Sequence, residues 1–388
     1  MRKQPKIFIL AGESSGDMYG GFIASHLKKK LPQARLLGIG GSKMEAAGVL
    51  LQSKIDQLAV VGVYEVLVHL KVIYQVFSQT RKWLKKERPD LIILIDYPDF
   101  NFLIARAAKR MGLKVIYYIS PQVWAWRKRR VKKLAQWIKL MIVVFPFEVP
   151  IYEREGVPVS FAGHPLVDLA VPRLSGKETV SRLGFPPDKR IVALLPGSRQ
   201  SEIKSLLIPL LKGASLLAGE DERLHFAVPV AESLNFASFT ELFHRHWKAD
   251  PSRVSLIEGY SHEILNTADF AITASGTATL EAALFGVPMV IVYQVSPLTF
   301  NVGKLLVKVD HIGMVNIVAG KRIVPELIQH ELTPENIAGQ SRRILNDSRE
   351  YRKIKRELAA VKEKLGSPGV LERTTEIILK QLLDPEFP

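Results

Sequence analysis

Apolar runs of strand length alternate with amphipathic runs of helix length along both halves of this chain, and that alternation admits few folds. Runs such as Leu91–Ile95 are apolar at every position, so both faces must be covered, as in a parallel sheet sandwiched between helices. Strands are expected at Lys6–Ala11, Arg35–Ile39, Leu91–Ile95, Lys114–Ile119, Leu140–Val144 and Val159–Ala162 in the first half. In the second half they are expected at Ile191–Leu195, Leu224–Val228, Val254–Ile257, Phe270–Thr273 and Met289–Val292. A length of 388 residues suits two cores rather than one. The break is placed near residues 165–188, a stretch with four prolines and no strand pattern. Two Rossmann-like, doubly wound parallel-sheet domains follow, at 1–170 and 171–345. Helices over 346–388 are expected to pack on the first domain or on the partner subunit of a homodimer.

The chain has no cysteine, which excludes a disulfide scaffold, thiolate metal sites and thiol catalysis. No apolar stretch approaches the roughly 18 residues of a membrane span, and the five-residue run before Gly12 is too short for a signal-peptide core. The net charge of +16 is unevenly placed: residues 1–170 hold 27 Lys and Arg against 13 Asp and Glu, and the remainder 27 against 25. A basic first half implies a polyanionic partner, either nucleic acid or an anionic membrane face.

Ala11–Asp17, AGESSGD, follows the first strand and opens a helix. It is either an anion-facing turn or a plain tight turn in which Asp17 steadies the helix start, and it lacks the spacing of a dinucleotide fingerprint or a P-loop. Leu91–Asn101, LIILIDYPDFN, ends a buried strand at Asp96, where ligands of open α/β sheets gather, so Asp96 is the candidate general base. Asp99 is a helix N-cap or the alternative base. Trp124 and Trp126 stand beside Arg127, Lys128, Arg129, Arg130, Lys132 and Lys133, a composition of membrane interfaces, phosphate pockets and RNA surfaces. Ala59–Phe77, with Val63, Leu67 and Leu70, is either helix core or an exposed patch for acyl chains. In the second half, Gly197, Ser198 and Arg199 form a glycine turn with a guanidinium suited to a diphosphate. Ser275, Gly276 and Thr277 start another helix after a strand, and Glu281 within it suits ribose hydroxyls. Two such turns in one domain point to a nucleoside diphosphate.

AGESSGD, IDYPDFN, SPQVWAWR, LPGSR, ASGTATLE and NIVAGKRIVPELIQ, in that order over residues 6–330, resemble the lipid-A-disaccharide synthase family. SGTATLE followed by Gly-x-Pro is shared more widely with two-Rossmann (GT-B) nucleotide-sugar glycosyltransferases. The resemblance implies a GT-B fold whose domains face a central cleft, and an inverting transfer with no metal and no cofactor. The donor would be UDP-2,3-diacylglucosamine and the acceptor 2,3-diacylglucosamine 1-phosphate (lipid X). It places Gly12, Glu13, Ser14, Gly16 and Asp17 at the acceptor, and adds Asn316, Glu326 and Gln329 to the UDP site. It also implies a cytoplasmic enzyme held peripherally on the inner membrane face, with no nucleic acid. A UDP-N-acetylglucosamine 2-epimerase would share the fold and the UDP turns but needs no acyl pocket; an RNA-binding protein would explain the charge alone.

Overall fold

A computed structural model of the chain describes residues 4–54, 63–121, 129–297, 299–300 and 310–383, with side chains at all of these except 63–71 and 129–130. Contacts divide the chain into two compact units, residues 1–168 with 365–388, and residues 169–364. The helix Ser348–Lys364 therefore stays with the second unit, and only the last helix, Val370–Leu383, joins the first.

The first unit is built on a seven-stranded, all-parallel sheet. Its strands are β1 (Lys6–Ala11), β2 (Arg35–Gly40), β3 (Leu50–Lys54), β4 (Leu91–Ile95), β5 (Val115–Tyr118), β6 (Leu140–Val143) and β7 (Val159–Phe161). The spatial order is β3-β2-β1-β4-β5-β6-β7, so the winding direction reverses between β1 and β4. β4, β5 and β6 are buried at every position, because helices cover both faces. Phe8, Leu10, Ile92, Leu94, Val115, Tyr117, Met141 and Val143 fill one face with residues of the helices Val63–Glu87, Pro98–Arg110 and Arg129–Trp137. Val72, Ile73, Val76 and Phe77 belong to that core, so this end of the apolar Ala59–Phe77 stretch is core. Residues 59–62 and the side chains of Val63, Leu67 and Leu70 lie outside the described residues.

The last helix lies against the helix Ser14–Lys30 in the same unit. Asp168 anchors its start by accepting from the Gly369 and Leu371 amides at 2.7 and 2.8 Å. Arg373 ties it down further through the Ala162 carbonyl.

The second unit carries a six-stranded parallel sheet in the order β10-β9-β8-β11-β12-β13. Here β8 is Arg190–Leu195, β9 Leu224–Val230, β10 Val254–Glu258, β11 Phe270–Ala274, β12 Met289–Tyr293 and β13 Glu326–Ile328. Its winding reverses between β8 and β11. β3 and β13 were not expected from the sequence. Both are edge strands, one of mixed burial and one of three residues, and neither shows the apolar run of a central strand.

Candidate active site

In open α/β sheets ligands bind beyond the carboxyl ends of the strands where the winding reverses. Both groups of sequence-selected residues fall at these places: Gly12–Asp17 and Asp96–Asp99 after β1 and β4, and Gly197–Arg199 and Ser275–Thr277 after β8 and β11.

In the first unit Asp96 leaves β4 in the left-handed region at φ +45°, and Tyr97 follows at +46°. The Asp96 amide donates to the Tyr118 carbonyl at 2.9 Å. Its carbonyl accepts from Asn101 Nδ2 at 2.7 Å and from the Tyr117 hydroxyl at 2.6 Å. The half-buried carboxyl group is pushed from the usual 3.8 up to about 6, chiefly by loss of water, next by the Glu13 charge, against a lowering hydrogen bond from the Tyr97 backbone. Gly12 is buried beside it, and a Cβ there would run into the Tyr97 ring. Glu13 and Ser14 are exposed at the helix start, and Gly16 packs that helix closely on Ala11.

Two expectations are corrected here. Asp99 is not the N-cap: the cap position of the helix Pro98–Arg110 is Tyr97, and Asp99 lies exposed in the first turn. Asp17 does not steady its own helix start. Its buried carboxylate accepts from the backbone amides of Gly41 at 2.6 Å, Lys43 at 3.0 Å and Met44 at 3.1 Å, holding the start of the helix Ser42–Ala46.

In the second unit Gly197 has φ +113° and Gly276 +154°, which only glycine adopts cheaply. The Ser198 and Arg199 amides donate to Glu202 Oε2 at 3.0 and 3.2 Å, and the Arg199 guanidinium sits 3.5 Å from Glu202 Oε1. The turn thus already holds a carboxylate where a phosphate was expected. Ser233 links the turns after β8 and β9 by donating to the Ser198 carbonyl at 2.8 Å. Ser275 donates to the Ile312 carbonyl at 3.0 Å. Thr277 begins the helix Thr277–Leu284, whose first amides have no intrahelical acceptor. Glu281 is mostly buried, 3.8 Å from His262 Nε2, a neighbour that sequence reading missed.

Asn316, Glu326 and Gln329, which the resemblance adds to the UDP site, are engaged in internal hydrogen bonds. Asn316 donates to the Val324 carbonyl and to Glu326 Oε1, and accepts from the Ile323 and Val324 amides. Glu326 accepts from the Ile312 and Gly313 amides, while Gln329 exchanges two hydrogen bonds with the Val295 backbone. Asn316 and Glu326 are buried, and their polar atoms are already used. Trp124, Trp126, Arg127 and Lys128 lie outside the described residues, as do the side chains of Arg129 and Arg130. Among the described residues no cluster of three or more His, Asp or Glu is placed to hold a metal ion, and no helix is long and apolar enough to cross a membrane.

Two doubly wound parallel sheets, each with a glycine-containing turn at its reversal point, define the two-Rossmann (GT-B) class of fold. The solved UDP-N-acetylglucosamine 2-epimerase of Neisseria meningitidis bound to UDP-GlcNAc superposes with TM-score 0.66 at 13% identity, over 97% of this chain and all of that one. The calicheamicin glycosyltransferase superposes with TM-score 0.62 at 16% identity, over 98% of each chain. Likeness at these identities establishes the fold and not the reaction. The sequence separates the two: the family model described as lipid-A-disaccharide synthetase matches residues 7–379. Lipid-A-disaccharide synthase of Geobacter metallireducens is 48% identical over 97% of both chains, and that of Nitrosococcus oceani 42% identical over 98% of this chain and 97% of its own. The chain belongs to the lipid-A-disaccharide synthase family and is a glycosyltransferase.

Proposed function

We propose that this protein transfers 2,3-diacylglucosamine from UDP-2,3-diacylglucosamine to the 6-hydroxyl of 2,3-diacylglucosamine 1-phosphate, forming the β-1′,6-linked disaccharide 1-phosphate and UDP. Family membership supports the substrates. The observation that carries the chemistry is Asp96, a carboxylate at the reversal point of the first sheet whose pKa burial raises to about 6. Such a group is largely ionised at neutral pH yet more basic than an ordinary carboxylate, which suits a general base. As the 6-oxygen bonds to the anomeric carbon, its proton passes to Asp96. The bond to the diphosphate oxygen breaks on the opposite face, inverting the centre. The charge gathering on UDP would be met by Arg199 and by the amides of Ser198, Gly276 and Thr277, with Glu281 on the ribose. To use the Ser198 and Arg199 amides, the diphosphate would displace the Glu202 carboxylate.

Both substrates carry acyl chains that reside in a bilayer, so the basic first half, with Trp124, Trp126 and Arg127–Arg130, suits the headgroup region of an anionic membrane, and Val63, Leu67 and Leu70 suit the acyl chains. This reading places the enzyme at the cytoplasmic face. Incubation with both lipids, scored for disaccharide and released UDP, tests the function. Conversion of UDP-N-acetylglucosamine to its 2-epimer with no disaccharide formed would favour the epimerase reading and refute this one.

A further inference from the structure

Asp96 and Tyr97 form a left-handed pair of non-glycine residues, a costly conformation that persists only where the surroundings impose it. Here the surroundings do. The Asp96 carbonyl is clamped between Asn101 Nδ2 and the Tyr117 hydroxyl, and Asn101 Nδ2 reaches the Ile95 carbonyl as well, at 3.2 Å.

These two clamps are poor choices for stability alone. Asn101 is fully buried, and because both groups facing its Nδ2 are carbonyls, its amide can point only one way. That orientation leaves Oδ1 buried with no hydrogen-bond partner among the described residues. An unsatisfied buried oxygen is destabilising, a cost that leucine would avoid at similar volume. Tyr117 is also fully buried, with its ring in the core. Phenylalanine would pack as well, and loss of water keeps the phenol protonated, so its hydroxyl stays a donor to the Asp96 carbonyl.

We propose that Asn101 and Tyr117 are positioning residues for the transfer: by clamping the Asp96 carbonyl they hold the left-handed turn that aims the Asp96 carboxylate at the acceptor hydroxyl. The proposal rests on Asp96 being the base. An error of about 1 Å in placing a reacting group can cost on the order of 100-fold in rate.

The test uses the whole enzyme with Tyr117→Phe, Asn101→Leu and the double variant. Each single change leaves one donor on the Asp96 carbonyl and should lower kcat by roughly ten-fold, and the double change by roughly 100-fold, with KM for both lipids and the affinity for UDP within about two-fold. The same changes are then made in Asp96→Asn, whose residual rate they should leave unaltered, since the carboxylate they aim is already gone. Wild-type kcat in the double variant overturns the proposal. So does an equal fractional loss with and without Asp96, which would mark the two residues as structural. If the double variant fails to fold, the single variants carry the same comparison. Wild-type kcat in Asp96→Asn alone would instead refute the base assignment, and the positioning proposal with it.

Discussion

Replacing Asp96 with asparagine keeps its shape and removes its charge, and the structure sets the consequences for both stability and rate. The carboxyl group titrates near 3.8 in the unfolded chain and near 6 in the folded one, with burial the larger cause and the Glu13 charge the smaller. Between those values the folded state holds a proton that the unfolded chain has lost, so wild-type stability falls as pH rises through that window. The full difference corresponds to about 3 kcal/mol, and because the side chain is only half-buried, solvent screens part of it, leaving about 1–3 kcal/mol. Asparagine does not titrate. Asp96→Asn should therefore gain on the wild type by that amount between pH 4 and 7, while its kcat falls by about 100- to 10,000-fold. Denaturant unfolding of both proteins across the pH range, alongside turnover at pH 7.5, measures the two effects. A stability gap that does not change with pH would refute the claim that the folded environment raises this carboxyl group. Undiminished turnover would refute its role as the base.

Asp17→Ala should destabilise the first unit by about 2–3 kcal/mol, because the three backbone amides around Gly41 and Met44 lose a charged acceptor. Thermal unfolding reads this directly, and an unchanged melting temperature would refute the structural role of these hydrogen bonds. Asn316→Ala should likewise cost about 1–3 kcal/mol of stability in the second unit by stripping the Ile323 and Val324 amides of their acceptor; lost UDP affinity at full stability would show it to be a ligand after all. Arg199→Ala and Glu281→Ala should each weaken UDP binding by calorimetry, and unchanged affinity in both would move the nucleotide away from the turns of the second unit. Neutralising Arg127, Lys128, Arg129 and Arg130 should release the protein from anionic vesicles in sedimentation at low salt, each charge being worth about 1 kcal/mol. Equal binding of wild type and variant would remove electrostatics from the membrane reading.

The central strands, the glycine turns after β1, β8 and β11, and the aspartate ending β4 were all legible in the amino-acid sequence. Their signals are local: LIILI must be covered on both faces, and a glycine between strand and helix marks a turn whatever lies elsewhere. The order of the strands, and hence the fact that Asp96 emerges beside Gly12 at a reversal point, was decided by the tertiary structure. The roles of individual polar residues were decided there too. Asp17 was expected to steady the start of its own helix because that backbone is nearest in sequence, yet its partners lie 24 to 27 positions away, at the start of another helix. Asn316, Glu326 and Gln329 sit in a conspicuous motif, but backbone within the motif and in segments before it, at Val295 and Ile312–Gly313, takes up their hydrogen-bonding groups. Tyr117 and His262 gave no signal, and Asn101 entered only as the last residue of IDYPDFN with no role attached, because an asparagine in a helix, a tyrosine in a strand and a lone histidine are ordinary. A side chain's donors and acceptors are chemistry written in the sequence; which of them remain for a substrate depends on the partners that folding brings within about 3 Å.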